Sequence, residues 1–477
     1  MSHNYLWSVI AAAVSAAASF LAIPILINHF GSADFGEIAQ FYVLIALLPL
    51  LELGLIQSFI QFLSARKEYS DLTHIQIGGY FALGGGLVAI VIVVVLIGLL
   101  GSSKFEFLAG IFDSTDSTTF LIVAIICARI LIPVFSLTDY VDGRVVRLSM
   151  IGMLSTIIRT CGLALISHRL DFSLEAYLFG YLAVSVTEMS LYIALRARDS
   201  WSAPPESLSL SGIISRPLFY NAVKIWILVI SWNGLMQFER IVLSSTLPSS
   251  QFGIIWAASS LAAAVMLVCG PLNGFVLPRL NRVSEENLSS DFYKVAHTYA
   301  LFIFLPACFA LLYQKEIFHI WLDIPVSADV KFVFSLYLAG NLVHILAGFA
   351  YFLRYRFGIS TRFLIGSLVF TLCQCIAIYV ASRFSGAIGT STIWFLSSVL
   401  AFLIFAVPKF NLIDGGVAWV VSAVGSKVIP FGILLMIWKF VIGFFIDNIL
   451  SQLLLGGVGL VLFILVSMWR GRSAIYR

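Results

Sequence analysis

The chain has 477 residues, of which 60% are hydrophobic and 11% charged, with a mean hydropathy of +1.02 and a formal net charge of +4. A water-soluble protein of this length has no way to hide so much apolar surface, so the composition excludes a soluble globular class and leaves no room for a sizeable soluble domain. The net charge carries little information; in a membrane protein the location of the basic residues matters more than their sum.

Apolar runs long enough to cross a bilayer recur along the whole chain. They predict about fourteen spans, at 5–30, 38–63, 76–101, 119–138, 148–167, 174–196, 217–243, 252–278, 293–314, 331–353, 362–382, 388–408, 418–445 and 449–469. The first follows Met1 without a basic leader region, contains Pro24 and runs into further spans, so it reads as a retained helix and not a cleaved signal. The second carries Glu52 one turn after Pro49. In the third, Gly84, Gly85 and Gly86 read as a close helix contact and not a phosphate loop. The fourth, fifth and sixth carry Arg129, Arg159 and Glu188 within their apolar stretches. The thirteenth is interrupted by Lys427 and Pro430, so the last two spans are the least sharply drawn.

A short turn occurs twice. His29-Phe-Gly-Ser-Ala-Asp-Phe-Gly36-Glu-Ile38 follows the first span, and Thr246-Leu-Pro-Ser-Ser-Gln-Phe-Gly253-Ile-Ile255 follows the seventh. At constant offset, Ser32 matches Ser249, Phe35 matches Phe252, Gly36 matches Gly253 and Ile38 matches Ile255. The Pro/Ser-rich connector near Ser200–Ser207 precedes the seventh span and marks a linker. The expected organisation is an N-terminal lobe at 1–198, a cytoplasmic linker at 199–215, a C-terminal lobe at 216–410 and additional helices at 411–477. Six spans per half give the halves the same orientation, related by an axis along the membrane normal.

With the N-terminus placed in the cytoplasm, seventeen Lys and Arg residues fall in inside segments and six in outside segments. The bias persists along the chain, so both termini are expected to be cytoplasmic. The six cysteines all lie in apolar segments and read as small fillers, with no metal ligand set. No phosphate-binding loop, zinc-protease motif or other enzyme signature is present, and nothing in the sequence calls for a cofactor or a nucleic-acid partner.

Candidate function therefore rests on ionisable and polar groups inside spans, where an unpaired charge costs roughly 2.5–3.5 kcal/mol on insertion scales. Arg129 and Arg159 lie near the middle of consecutive antiparallel spans and are placed to share one depth. Asn233, Gln237 and Arg240 form one stripe at i, i+4 and i+7. Lys224 points elsewhere and lies nearer the cytoplasmic end, where snorkelling explains it as well as binding does. Glu188 shares a face with Tyr177, Tyr181, Ser185 and Tyr192. The excess of Arg and Lys over acids predicts an anionic substrate, held by guanidinium pairs on phosphate. A structural ion pair of Arg129 or Arg159 with Glu52 or Glu188 is the competing reading. Glu52 and Glu188 are the candidates for ion coupling. Tyr, Trp and Phe near the span ends read as interfacial belt and lipid-facing bulk.

Several motifs resemble the polysaccharide-export branch of the MOP superfamily, the Wzx-type O-antigen flippases. These are Pro24 through Gly36, Glu52-Leu-Gly-Leu55, Glu239-Arg-Ile-Val-Leu-Ser244, Gly270-Pro-Leu272, Leu277-Pro-Arg-Leu280 and Ile320-Trp-Leu322. The resemblance covers most of 1–410; Glu239 stands where Asp is commoner, and the tail beyond 410 adds spans to the usual twelve. It implies an all-α polytopic membrane protein with two six-helix, MATE-like lobes plus a C-terminal hairpin, alternating between inward-open and outward-open states around a cationic cavity. The implied substrate is a polyprenyl-pyrophosphate-linked oligosaccharide moved to the periplasmic leaflet of the bacterial inner membrane, with membrane lipids, a polysaccharide polymerase and a chain-length regulator as partners. Two alternatives stand beside it: a MATE-like antiporter of small molecules, which calls for an acid-dominated cavity, and a membrane polysaccharide polymerase or ligase, which calls for a long periplasmic loop. A non-catalytic assembly subunit is a third, against which the charges within the spans argue.

Overall fold

A computed structural model describes residues 3–48, 117–141, 144–200, 235–282, 285–323, 326–357, 361–410, 416–445 and 448–475, with isolated positions at 223, 224, 227 and 231. The third expected span, Glu52, Asn233, the glycine run at 84–86 and most of the 199–215 linker lie outside the described residues.

The described chain is helical. The elements are α1 (His3–Ala46), α2 (Ser117–Val141), α3 (Val145–Ile157), α4 (Leu163–Leu170), α5 (Leu174–Ser200), α6 (Leu235–Thr246), α7 (Ser249–Arg282), α8 (Glu285–Tyr299), α9 (Leu305–Leu312) and α10 (Gln314–Leu322). They continue with α11 (Ala328–Phe357), α12 (Thr361–Ala401), α13 (Val407–Phe410), α14 (Gly416–Phe445) and α15 (Ile449–Ile475). Single π-helical turns at Ile158–Gly162, Ala300–Phe304 and Phe402–Ala406 join α3 to α4, α8 to α9 and α12 to α13. With no water in the bilayer core, a helix satisfies its backbone internally, which is why composition alone led to this architecture.

Among the described residues, eight helices are long and apolar enough to cross a membrane, and shorter apolar helices cover Phe120–Pro133 and Ile449–Val461. Two of the eight, Ala13–Ala46 and Thr361–Ala406, each run from one expected span into the next. Both break at a glycine with positive φ: Gly31 at 75° and Gly386 at 52°. A residue with a Cβ resists that conformation, so glycine sits where the chain leaves one span and enters the next. These positions fall in the connections expected at 31–37 and 383–387. In the thirteenth span α14 runs unbroken through Pro430.

The chain forms two compact units. One comprises Met1–Trp256 with Ser360–Gly386, the other Ala257–Ile359 with Ala387–Arg477. In the first, α2 packs along α5 and α1 along α3. One of its apolar clusters joins Ile132, Leu148 and Tyr192 with Phe135, Ile151 and Met189. In the second, Phe292, Tyr299 and Ile303 pack with Ile345, Ala406 and Val424. There Asn341 donates to the Ala262 carbonyl at 3.0 Å and accepts from Trp394 Nε1 at 3.1 Å.

The C-terminal pair α14 and α15 is built into the second unit. Phe431 and Leu435 join Leu301, Leu305 and Tyr313, with Leu453, Leu460 and Phe463 packed against them. Lys439 caps this contact. Its ammonium donates to the Leu312 carbonyl, lies 2.9 Å from Glu316 Oε1 and sits 4.7 Å from the Tyr313 ring centroid. Lys439→Ala leaves a buried carboxylate and carbonyl without their donor, which costs about 1–3 kcal/mol. The expected result is a lower unfolding midpoint in detergent, with α14 and α15 the first segments to lose protection from proteolysis; an unchanged midpoint refutes it.

Candidate functional site in the membrane-spanning bundle

Three of the sequence-predicted residues meet. Arg159 sits in the π-helical turn between α3 and α4, where the extra residue per turn re-aims a side chain. Its Nη1 donates to Glu188 Oε2 at 2.7 Å and its Nη2 to Thr156 Oγ1 at 3.5 Å. Arg129 of α2 reaches the same oxygen from the other side, at 3.4 Å. The side chains of Arg159 and Glu188 are 6% and 5% exposed, whereas Arg129 is 24% exposed. Arg159 is thus the more enclosed of the two guanidinium groups, and among the described residues both share the Glu188 carboxylate. The ion-pair reading with Glu188 and the shared-depth reading of the two arginines are both realised here, in one cluster.

The tyrosine face of α5 is buried as a unit: Tyr177, Tyr181, Ser185, Glu188 and Tyr192 are each at most 6% exposed. Arg159 lies over the Tyr181 ring at 5.3 Å. The Tyr181 ring also meets Phe41 and Tyr42 of α1, and the Tyr42 and Tyr177 hydroxyls share a hydrogen bond of 2.6 Å. Tyr42 in turn stacks on Trp256 of α7, with centroids 5.6 Å apart and planes 10° from parallel. Arg240 of α6 lies over the Trp256 ring at 6.0 Å. A continuous chain of contacts therefore runs from Arg240 through Trp256, Tyr42 and Tyr181 to Arg159 and Glu188. Tyr42 and Trp256 are part of this interior chain and not of an interfacial belt. Aromatic residues close to span ends carry that ambiguity in sequence, because belt and core use the same residue types.

The rest of the predicted polar stripe is only partly described. Gln237 lies on α6 one turn before Arg240, and its Oε1 is buried with no hydrogen-bond partner among the described residues. Lys224 is helical and half-buried. No group of His, Cys, Asp or Glu among the described residues is arranged to hold a metal ion.

The two copies of the repeated turn touch each other. Phe35 and Phe252 are 0% and 1% exposed, and Ile38 and Ile255 are also buried. A Cβ on Gly36 would run into the Ser249 backbone carbonyl. One on Gly253 would lie 3.0 Å from Phe35 Cδ1 and 3.2 Å from the Gly36 backbone. The matched residues are therefore not only alike in sequence; they meet in one crossing, where glycine lets two backbones approach.

No protein-family model matches the sequence, and no curated protein matches it. Solved structures do. The lipid II flippase MurJ in an inward closed conformation superimposes with a TM-score of 0.73 at 13% identity, covering 99% of this chain and 100% of that one. This is the MurJ and MATE fold. A mutant of the Vibrio cholerae MATE transporter VcmN and an outward-facing multidrug resistance MATE family transporter of the MOP superfamily follow, each with a TM-score of 0.52, at 12% and 13% identity. Each covers 86% of this chain and 99% of its own.

Proposed function

We propose that the chain is an alternating-access flippase for a polyprenyl-pyrophosphate-linked oligosaccharide, moving it from the cytoplasmic to the periplasmic leaflet of the bacterial inner membrane, with both termini cytoplasmic. The observation that carries this is the convergence of Arg129 and Arg159 on one carboxylate within the spans, in a chain matched over nearly its full length by a lipid flippase.

In the empty site Glu188 is the counter-ion of both arginines. A pyrophosphate head takes its place, because each guanidinium presents paired N–H donors that match two phosphate oxygens. Arg129, the more exposed of the two, meets the head first; Arg159 stays anchored through Thr156 and Tyr181 and fixes the head. Glu188 is released from its cations at the moment the head group binds. That makes it the ion-coupling residue of the cycle. Gln237, Arg240 and, nearer the cytoplasmic end, Lys224 extend the polar wall; Asn233 and Glu52 complete the set expected from sequence. The lobes are taken as 1–198 and 216–410, joined by the 199–215 linker, because the turn repeat places equivalent hairpins at the start of each.

The alternation of the spans has internal support. His29 at the end of the first span donates a hydrogen bond from Nε2 to Phe172 O, 3.0 Å away, beyond the fifth. Arg147 Nε donates to Asp139 at 2.9 Å between the fourth and fifth spans, and Lys439 meets Glu316. In each case ends expected on one side of the membrane meet. An O-antigen repeat unit and lipid II both carry sugar on a polyprenyl pyrophosphate, so the arginine site suits either. We favour the O-antigen class on the motif resemblance, with a polymerase and chain-length regulator acting downstream. A MATE-like antiporter of small molecules fits less well, since those structures leave 14% of this chain uncovered.

The test is flipping of undecaprenyl-pyrophosphate-linked sugar in proteoliposomes. Arg129→Ala and Arg159→Ala are each expected to lower the rate at least tenfold, and the double variant to abolish it with membrane insertion intact. Full flipping by the double variant refutes the arginine site. Running the assay with an O-antigen repeat unit and with lipid II separates the two substrate classes.

A further inference from the structure

The first half of α12 carries a polar face that the arginine site does not use. Ser367, Thr371 and Gln374 stand at i, i+4 and i+7, and are 4%, 6% and 6% exposed. Ile365, Val369, Leu372 and Ile376, between them on the other side, are all more than half exposed. The helix thus turns an apolar face outward and a polar face inward. Thr371 Oγ1 donates to the Ser231 carbonyl at 3.4 Å, which sets this face against the seventh span.

Across that seam three polar atoms are left over. Ser231 Oγ, Ser367 Oγ and Gln237 Oε1 are buried with no hydrogen-bond partner among the described residues. Several buried hydroxyls elsewhere bond back to their own helix, as Ser185 does to the Tyr181 carbonyl and Ser398 to that of Trp394, whereas Ser167 Oγ and the Tyr313 hydroxyl do not. Within a membrane an unmet buried polar group has no water to turn to, so three such atoms spread along the two elements mark a place where something else supplies the partners. All three are uncharged. Two hydroxyls and an amide oxygen suit a neutral ligand that both donates and accepts, and offer an anion no compensating charge. Gln237 lies one turn from Arg240, and Arg240 opens the contact chain that reaches Arg159 through Trp256 and Tyr42.

We propose that the seam between the seventh span and the first half of α12 binds the saccharide hydroxyls of the substrate, while Arg129 and Arg159 take its pyrophosphate. This rests on the flippase reading above. Ser367, Gln237 and Ser231 are then the residues that distinguish a sugar-bearing lipid from the bare carrier.

The experiment compares binding of undecaprenyl pyrophosphate and of the same lipid bearing one N-acetylglucosamine to the full-length protein in nanodiscs. The wild type is expected to bind the sugar-bearing lipid roughly tenfold more tightly, the scale of one added hydrogen bond. Ser367→Ala and Ser231→Ala are expected to lose that difference while keeping the wild-type affinity for undecaprenyl pyrophosphate. Both variants are also expected to raise the unfolding midpoint of the empty protein, because each removes an unmet polar atom. A seam that only holds helices together gives the reverse: a lowered midpoint and an unchanged preference, and either result overturns the saccharide site. Equal binding of the two lipids by the wild type overturns it too, with the flippase reading intact. Binding of neither lipid overturns both.

Discussion

Glu188→Gln is expected to tighten binding of inorganic pyrophosphate at least tenfold while lowering transport. The carboxylate is the sole acid described between Arg129 and Arg159, so it competes with any anion for them. Removing one negative charge about 4 Å from a bound phosphate is worth about 4 kcal/mol at an effective dielectric near 20, of which the amide retains a part through its own hydrogen bonds. The substitution also leaves Arg159, 6% exposed, without its counter-ion. Breaking a buried pair costs about 3–5 kcal/mol, so the empty variant unfolds earlier than the wild type. Pyrophosphate then restores what the carboxylate supplied, and the midpoint rises more steeply with ligand in the variant than in the wild type. A static structural role for the triad gives the loss of stability without the gain in affinity. Transport falls because the amide carries no charge to draw the two arginines back when the head group leaves. Unchanged pyrophosphate affinity refutes the counter-ion exchange.

Sequence and structure meet unevenly across this molecule. The spans were legible because bilayer thickness fixes a run length, and Gly31 and Gly386 mark two of the breaks by backbone conformation alone. The depth of Arg129 and Arg159 was legible for the same reason. Which way each points was not: a helix in lipid is apolar on every side, so the usual amphipathic signal that fixes orientation is missing. Glu188 therefore stood in sequence as one acid among several, and only packing of α2, α3 and α5 shows that it receives both arginines. Tyr42 and Trp256 were hidden by their position beside a turn, where an aromatic residue reads as an interfacial anchor. The face of Ser367, Thr371 and Gln374 has a plain helical spacing, yet small polar residues are common in spans and bond to their own backbone, so spacing alone did not separate this face from others. The repeat was the reverse case. Four matched residues in a ten-residue window are a thin signal in sequence, and the structure gives them a physical reason by setting Gly36 against Ser249 and Gly253.

That crossing gives the second large effect, at Gly36→Val. In the proposed lobes, 1–198 and 216–410, it joins the outer ends of the first and seventh spans, and on that reading its closure seals the periplasmic side and its separation opens it. The obstacle a side chain meets at position 36 is backbone, the Ser249 carbonyl at the start of α7, which has no rotamer to yield. At position 253 the nearest atom is the edge of the Phe35 ring, with the Gly36 backbone 3.2 Å away, and a ring gives by a few tenths of an ångström. Overpacking a tight contact costs about 1–3 kcal/mol, and a cost borne only by the closed state moves the population toward the open one by roughly five- to a hundredfold. Gly36→Val is therefore expected to insert normally and to lose most of its transport, Gly36→Ala to lose less, and Gly253→Ala least. Ala39 lies one turn below Gly36 and is fully buried. In a background without other cysteines, Cys at position 39 is expected to stay unreactive toward a membrane-impermeant maleimide added from the periplasmic side, and to react once Gly36→Val is introduced. Wild-type transport with no gain in labelling shows that the crossing is a fixed contact and not a gate. Gain in labelling with transport preserved shows that its closure is not required for turnover. Only the two changes together support the repeat as the moving seal between halves.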